Sequence, residues 1–321
     1  TQEIEHWDAA TGWRPSECTA GSPGTGDNGI APGAIVINEV SNNSNGADGN
    51  WVELRNTTNT GINIGGWFLS DSWLTEKKYQ LPSETMIPAG QYLVLTEVED
   101  FGDPAGERPF ALSEAGGQLR LRSADSNGEL TGYLDASSFG AADLNLTQGL
   151  TATSDGYVFA VLEQGTPGGD NAAPTVGPVV INEIMYNAGP GGVDFVELKN
   201  ISDSSISLND AGENVWVFNR GIQFQFPTGA TLAPNGLAVL IEALAGNDPN
   251  QAAGEFRTNY EVPADTPIFV YNRADHGGLD TGGENLAIAR LSQSGAGDVT
   301  VDRVNYDDSA PWPAAPDGEG P

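Results

Sequence analysis

The sequence predicts an all-β protein built as two tandem antiparallel sandwiches. Apolar and polar residues alternate at period two, in short runs. Turn residues separate the runs, with 42 glycines and 20 prolines, and no long stretch keeps a helical period. The chain also repeats itself. At an offset of 144, residues 13–64 match residues 157–208 without a gap, and 14 of the 52 pairs are identical. The 321 residues are enough for two domains of ordinary size.

The first copy opens with Ile35 and Ile37 alternating with Val36 and Asn38. Trp51–Arg55, Ile62–Ile64, Trp67–Leu69, Tyr92–Leu95, Gln118–Arg122 and Tyr157–Val161 follow as further strands. The second copy repeats the order as Val179–Ile184, Phe195–Lys199, Ile206–Leu208, Val215–Phe218, Leu237–Ile241, Asn285–Ala289 and Val299–Val304. It carries about twenty extra residues between Glu242 and Gly278, which read as a long loop with one short strand, Pro267–Tyr271. The resulting division is a segment and linker over 1–32, a domain over 33–170, a linker over 171–177 and a domain over 178–321.

The repeat is out of phase with the chain. Gly21-Ser22-Pro23-Gly24 matches Gly165-Thr166-Pro167-Gly168, which closes a unit, and Val36–Val40 matches Val180–Ile184, which opens one. The expected order is therefore a tail, a whole unit, and a second unit without its tail.

The formal net charge is -31, and the lysines are Lys77, Lys78 and Lys199. That excludes nucleic acid and an anionic membrane surface as partners, since both need a cationic face. An acidic surface suits a salty or divalent-rich medium; it serves equally as a solubility device. No membrane-inserting segment or signal peptide is visible, so residue 1 is open to being a processed N-terminus. The single cysteine, Cys18, gives no internal disulfide framework. It reads as a small buried apolar residue or a reactive thiol.

Four motif stretches carry a family resemblance. They are Ile37-Asn38-Glu39-Val40, Trp51-Val52-Glu53-Leu54-Arg55-Asn56, Ile62–Asp71 with its Gly65-Gly66-Trp67 step, and Ile87–Leu95 with Pro88-Ala89-Gly90. Together they resemble the lamin tail domain, an immunoglobulin-like β-sandwich. The second copy carries Ile181-Asn182-Glu183-Ile184, Phe195–Asn200 and Pro234–Leu240, and departs at the glycine-tryptophan step, where Leu208–Trp216 holds an insertion. The resemblance covers nearly the whole chain. It implies two immunoglobulin-like sandwiches, a binding or structural module with no catalytic residues, and an extracellular or cell-surface location. It does not by itself fix function.

The family pattern ends on a tryptophan-containing strand and a Gly-Ser/Thr-Pro-Gly turn, and residues 1–24 supply that ending. The second sandwich is expected to lack its final strand, and the N-terminal segment to be an extended donor. Donor residues are Ile4, Trp7, Trp13, Pro15, Cys18 and Pro23; acceptor residues are Val180, Ile181, Val301, Val304, Tyr306 and Trp312. Each large apolar filler contributes roughly 1.5–3 kcal/mol on full burial, and a bare sheet edge adds ladder hydrogen bonds. The segment could close on its own chain, but about 11 linker residues reach at most roughly 35 Å. Equal linkers favour the next molecule, giving a homopolymer that grows head to tail into an open extracellular filament. Truncation of a longer array is the rival explanation of the phase. The alternative function is a binding or adhesion module of a larger surface protein, touching a glycan or another protein; an accessory domain of a hydrolase is weaker still.

Other motifs leave two readings each. Asn38, Glu39, Glu53 and Asn56 recur as Asn182, Glu183, Glu197 and Asn200, and either hold a ligand or tie strand edges. Asp125, Asn127 and Glu129 have alternate oxygen ligands, as a weak Ca2+ loop would, but Asn127-Gly128 is also a strong hairpin signal. Sequons at Asn42, Asn56, Asn145 and Asn200 mark glycosylation or chance. Catalysis is not expected: His6 and His276 are the only histidines, and no Gly-x-Ser-x-Gly occurs.

Overall fold

The computed structural model describes Ser16, Gly21, Pro23, Gly24, residues 29–153, 156–189, 191–212, 214–243, 248–292 and 294–309, and Trp312. The chain forms two compact units, Thr1–Thr175 with Ser292–Gly297, and Val176–Leu291 with Asp298–Pro321. Both are β-sandwiches of the immunoglobulin-like kind.

Unit 1 contains β1 (Ile35–Ser41), β2 (Trp51–Asn56), β3 (Ile62–Asn63), β4 (Phe68–Ser70), β5 (Tyr79–Gln80), β6 (Met86–Ile87), β7 (Tyr92–Thr96), β8 (Gly116–Ala124), β9 (Leu130–Gly140), β10 (Gln148–Thr153) and β11 (Gly156–Val161). One sheet has the order β11-β10-β1-β2-β7 and the other β5-β4-β8-β9; β3 and β6 form a small ribbon. Ile35 and Ile37 face the core from β1. A bulge between Ile37 and Glu39 then shifts the alternation, so that Val40 also turns inward. Val52 and Leu54 join them from the same sheet, and Leu69, Leu119, Leu121 and Tyr133 from the other, with the Trp67 and Tyr133 rings 5.0 Å apart.

Besides the two-residue β5 and β6, two longer strands of unit 1 escape the sequence pattern. β9 is rich in Gly, Ser and Asp, and is held by Tyr133, whose ring is buried while its hydroxyl donates to the Ile35 carbonyl at 2.6 Å. β10 opens on buried Gln148, whose amide exchanges hydrogen bonds with the Gly140 N–H and carbonyl at 2.8 and 2.7 Å. A polar side chain sealing backbone groups inside has no apolar signature.

Unit 2 contains β12 (Val179–Met185), β13 (Phe195–Asn200), β14 (Ile206–Ser207), β15 (Trp216–Arg220), β16 (Phe224–Gln225), β17 (Thr231–Leu232), β18 (Leu237–Ala243), β19 (Ile268–Asn272), β20 (Gly283–Leu291) and β21 (Asp298–Asp307). Its sheets run β12-β13-β18-β19 and β16-β15-β20-β21, with a β14–β17 ribbon. The bulge recurs between Ile181 and Glu183. Asn56 and Asn200 tie the ribbon to the sandwich in both units. The Asn56 amide donates to the Thr60, Ile87 and Pro88 carbonyls, and the Asn200 amide to those of Ser204, Leu232 and Ala233.

The insertion is more than the loop expected from its sequence. It holds a helix, α1 (Pro249–Asn259), then β19, then a single turn, α2 (Arg273–His276). Asp248-Pro249-Asn250 is the helix start: Asp248 caps the Asn250 and Gln251 N–H groups and Pro249 stands in the first turn. Because α1 carries the chain back across, β19 pairs parallel to β18 in an otherwise antiparallel fold. Only Phe256 of α1 is buried, against Met185, Phe195, Val239 and Ile241 on the outer sheet face. One apolar anchor on an otherwise polar helix leaves no periodic stripe to read.

Candidate docking edge

The first strands of the two units carry the same residues in opposite surroundings. In unit 1, β10 lies along β1, pairing Gly149 with Glu39 and Gln148 with Val40. β11 folds back on β10, and the chain returns over it: Leu162 is fully buried and bridges to Pro174. The Gly165-Thr166-Pro167-Gly168 turn then docks on two buried carboxylates. The Thr166 N–H reaches both Glu39 oxygens at 3.1 and 3.2 Å, and its hydroxyl donates to Oε2 at 2.7 Å. Thr147 donates to the other oxygen, Oε1, at 2.5 Å. The Gly168 N–H donates to Glu53 Oε2 at 2.5 Å, and Asn38 Nδ2 donates to Glu53 Oε1 at 2.7 Å. Asn171 closes the latch. It accepts from Asn38 Nδ2 at 2.7 Å and donates to the Asn38 and Leu150 carbonyls at 3.2 and 3.0 Å. Burial raises the Glu53 pKa against the pull of the Gly168 N–H and the Asn38 amide, so those donors hold a charge that burial disfavours.

Three features make this turn fit. Gly168 has φ +83°, a left-handed value that favours glycine. A side chain at Gly165 would crowd Thr147 and Trp51, and one at Gly149 would strike Leu162 and Asn171. The left-handed glycine recurs at the N-terminus, where Gly24 has φ +82°, although Gly21 is also left-handed at φ +81° and its counterpart Gly165 is not.

In unit 2 no strand pairs with the outer edge of β12 among the described residues. Ile37, Asn38 and Glu39 are all but fully buried, whereas Ile181 is half-buried and Asn182 and Glu183 are exposed. The cradle is nevertheless formed. Asn182 Nδ2 donates to Glu197 Oε1 at 2.6 Å, matching the Asn38–Glu53 bond. The Glu183 carboxylate has no hydrogen-bond partner among the described residues; partial burial and then the charge of Glu197 raise its pKa. Beside it runs an open groove of about 200 Å³, lined by Ile181, Ile184, Tyr186, Val304, Tyr306 and Trp312. The Tyr186 and Tyr306 rings stack 4.8 Å apart and form its floor.

Of the acceptor residues read from sequence, Ile181, Val304, Tyr306 and Trp312 line this groove. Val180 pairs with Lys199 inside the sheet, and Val301 packs on Gly177 and the core. Asn182 and Glu183, which the sequence left between ligand and structural tie, are the polar rim of the groove. Their recurrence in both copies was the available signal. Ile4, Trp7, Trp13, Pro15 and Cys18 lie outside the described residues, while Pro23 is exposed. Ser16 accepts a hydrogen bond from the Gly132 N–H of β9 at 3.0 Å.

The remaining candidates have plain roles. Asp125 Oδ1 accepts from the Asn127 and Glu129 N–H groups, capping the β8–β9 hairpin, and Glu129 pairs with Lys77. Asn42, Asn56 and Asn200 are buried with their amides donating to backbone carbonyls; Asn145 is the exposed sequon. His276 Nδ1 sits 2.6 Å from the Gln223 carbonyl.

The Lamin Tail Domain family profile matches residues 29–149 and residues 172–308, most of the chain, in two successive copies. The chain belongs to that family, whose members are immunoglobulin-like structural or binding modules and not enzymes. The first match ends before β11 and the Gly-Thr-Pro-Gly turn, and the second begins after them. No curated protein matches the chain.

Proposed function

We propose that this pair of lamin tail domains is a structural subunit that assembles head to tail. The β12 edge of unit 2 accepts residues 1–24 of a neighbouring copy as added strands, as β10, β11 and the Gly-Thr-Pro-Gly turn complete unit 1. One observation carries this reading. The same Ile-Asn-Glu edge is sealed by a tail in unit 1 and, among the described residues, left unpaired in unit 2, with its Asn–Glu cradle already set. The 144-residue offset makes residues 13–24 the counterpart of residues 157–168, the very residues seated in unit 1. A contact of this kind joins different surfaces of successive copies and grows into an open filament unless a rotation closes it. The acidic, lysine-poor surface supports an extracellular setting, where counterions screen repulsion between stacked subunits.

Light scattering and electron microscopy of the purified chain test the reading. The unaltered chain is expected to form filaments whose mass rises with concentration. A chain without residues 1–20 is expected to stay monomeric and folded. Equal assembly of both chains, or a monomer in each case, would overturn the proposal.

A further inference from the structure

We infer that the joint is recognised through a turn, with Glu183 and Glu197 clamping Gly21-Ser22-Pro23-Gly24 of the neighbouring copy. This rests on the head-to-tail reading above and names the groups that give it specificity. In unit 1 the residues in register with these two, Glu39 and Glu53, hold the matching turn through the Thr166 N–H and hydroxyl and the Gly168 N–H. In register, Ser22 brings the same hydroxyl and N–H to Glu183, and Gly24 brings its N–H to Glu197. Pro23 keeps the proline of the turn, and Gly24 already has the φ of Gly168. Glu197 is oriented by Asn182, and the exposed Glu183 carboxylate stands beside a second carboxylate with no hydrogen-bond partner among the described residues. Two neighbouring carboxylates select a partner rich in N–H and hydroxyl donors and poor in negative charge.

One substitution between the copies bears on the Asn182 side of the joint. Asn171 both accepts from Asn38 and donates to two carbonyls, but its counterpart is Asp27. Aspartate can accept from Asn182 but cannot donate, and it places a third negative charge beside Glu183 and Glu197. The joint between copies is therefore weaker than the latch within unit 1, which suits a reversible assembly contact.

Sedimentation measurements across a concentration series test this on the full chain, with unaltered thermal unfolding confirming each variant's fold. Glu183→Gln and Glu197→Gln should each weaken self-association by about 10- to 100-fold, the range of one charge-assisted hydrogen bond. Asp27→Asn should strengthen it by about 10-fold, the effect of removing one like charge and restoring a donor. If the unaltered chain associates and all three variants match it, the clamp is wrong while the head-to-tail joint stands. If the unaltered chain never associates, the joint itself is wrong.

Discussion

Glu39→Gln perturbs the latch of unit 1 at its most connected point. Glu39 is fully buried and takes the Thr166 N–H at 3.1 and 3.2 Å, the Thr166 hydroxyl at 2.7 Å and the Thr147 hydroxyl at 2.5 Å. Glutamine keeps one acceptor oxygen and turns the other into an NH2 group. Whichever way the amide faces, the Thr166 N–H loses one of its two acceptors and one threonine hydroxyl must turn from donating to accepting. A hydrogen bond to a charged group contributes about 1.5–3 kcal/mol, and an unmet buried N–H costs about 1–3 kcal/mol. The relief of burying a neutral amide in place of a carboxylate offsets part of this. The expected net loss is roughly 2–4 kcal/mol. Because it falls on the latch, the tail should open before the sandwich melts. Amide exchange at Thr166 and Gly168 should accelerate by roughly 30- to 700-fold, the same free energy at about 1.4 kcal/mol per decade, and urea unfolding should report the loss in stability. A loss under about 0.5 kcal/mol, the scatter of surface substitutions, with both amides exchanging at unaltered rates, would refute the reasoning.

Three further outcomes follow from the packing. Asn200→Ala removes the amide shared by the Ser204, Leu232 and Ala233 carbonyls and the oxygen that accepts from the Ser202 N–H, and should cost about 1–3 kcal/mol in chemical denaturation; a neutral result would mean that the ribbon is not tied there. Phe256→Ala removes the one buried anchor of α1 and should cost about 3–5 kcal/mol, with helical circular dichroism lost before the sheet signal. Burial raises the Asp135 pKa against its bond from the Ile37 N–H, so the native chain holds a proton there that the unfolded chain has released. The stability from that proton is complete below the ordinary carboxylate range and disappears as pH rises through the raised folded pKa. Asp135→Asn keeps an acceptor for Ile37, so its melting temperature relative to the unaltered chain should climb as pH rises through that window; a flat difference would exclude Asp135 as the source.

A period-two run such as Trp51–Asn56 declares itself because alternate side chains face an apolar core, and Leu237–Ile241 because it is apolar throughout and covered on both faces. The 144-residue self-match made the tandem organisation equally plain. The helix α1 was hidden because one phenylalanine holds it. β10 was hidden because Gln148 and Thr147 spend their polar groups on the interior. Even so, the Gly-Ser/Thr-Pro-Gly turns stood out at both sites, since a left-handed glycine at a fixed place leaves a residue-level mark.

The sequence by itself determined the fold class, the repeat and the identity of the groups at the edge. It could not determine their environment. Ile-Asn-Glu occurs at residues 37–39 and again at 181–183, buried in one place and open in the other. No local difference separates them. Burial of Glu39 comes from a turn 127 residues further along the chain, and only the folded structure brings that turn to one edge and shows the other edge, among the described residues, without it.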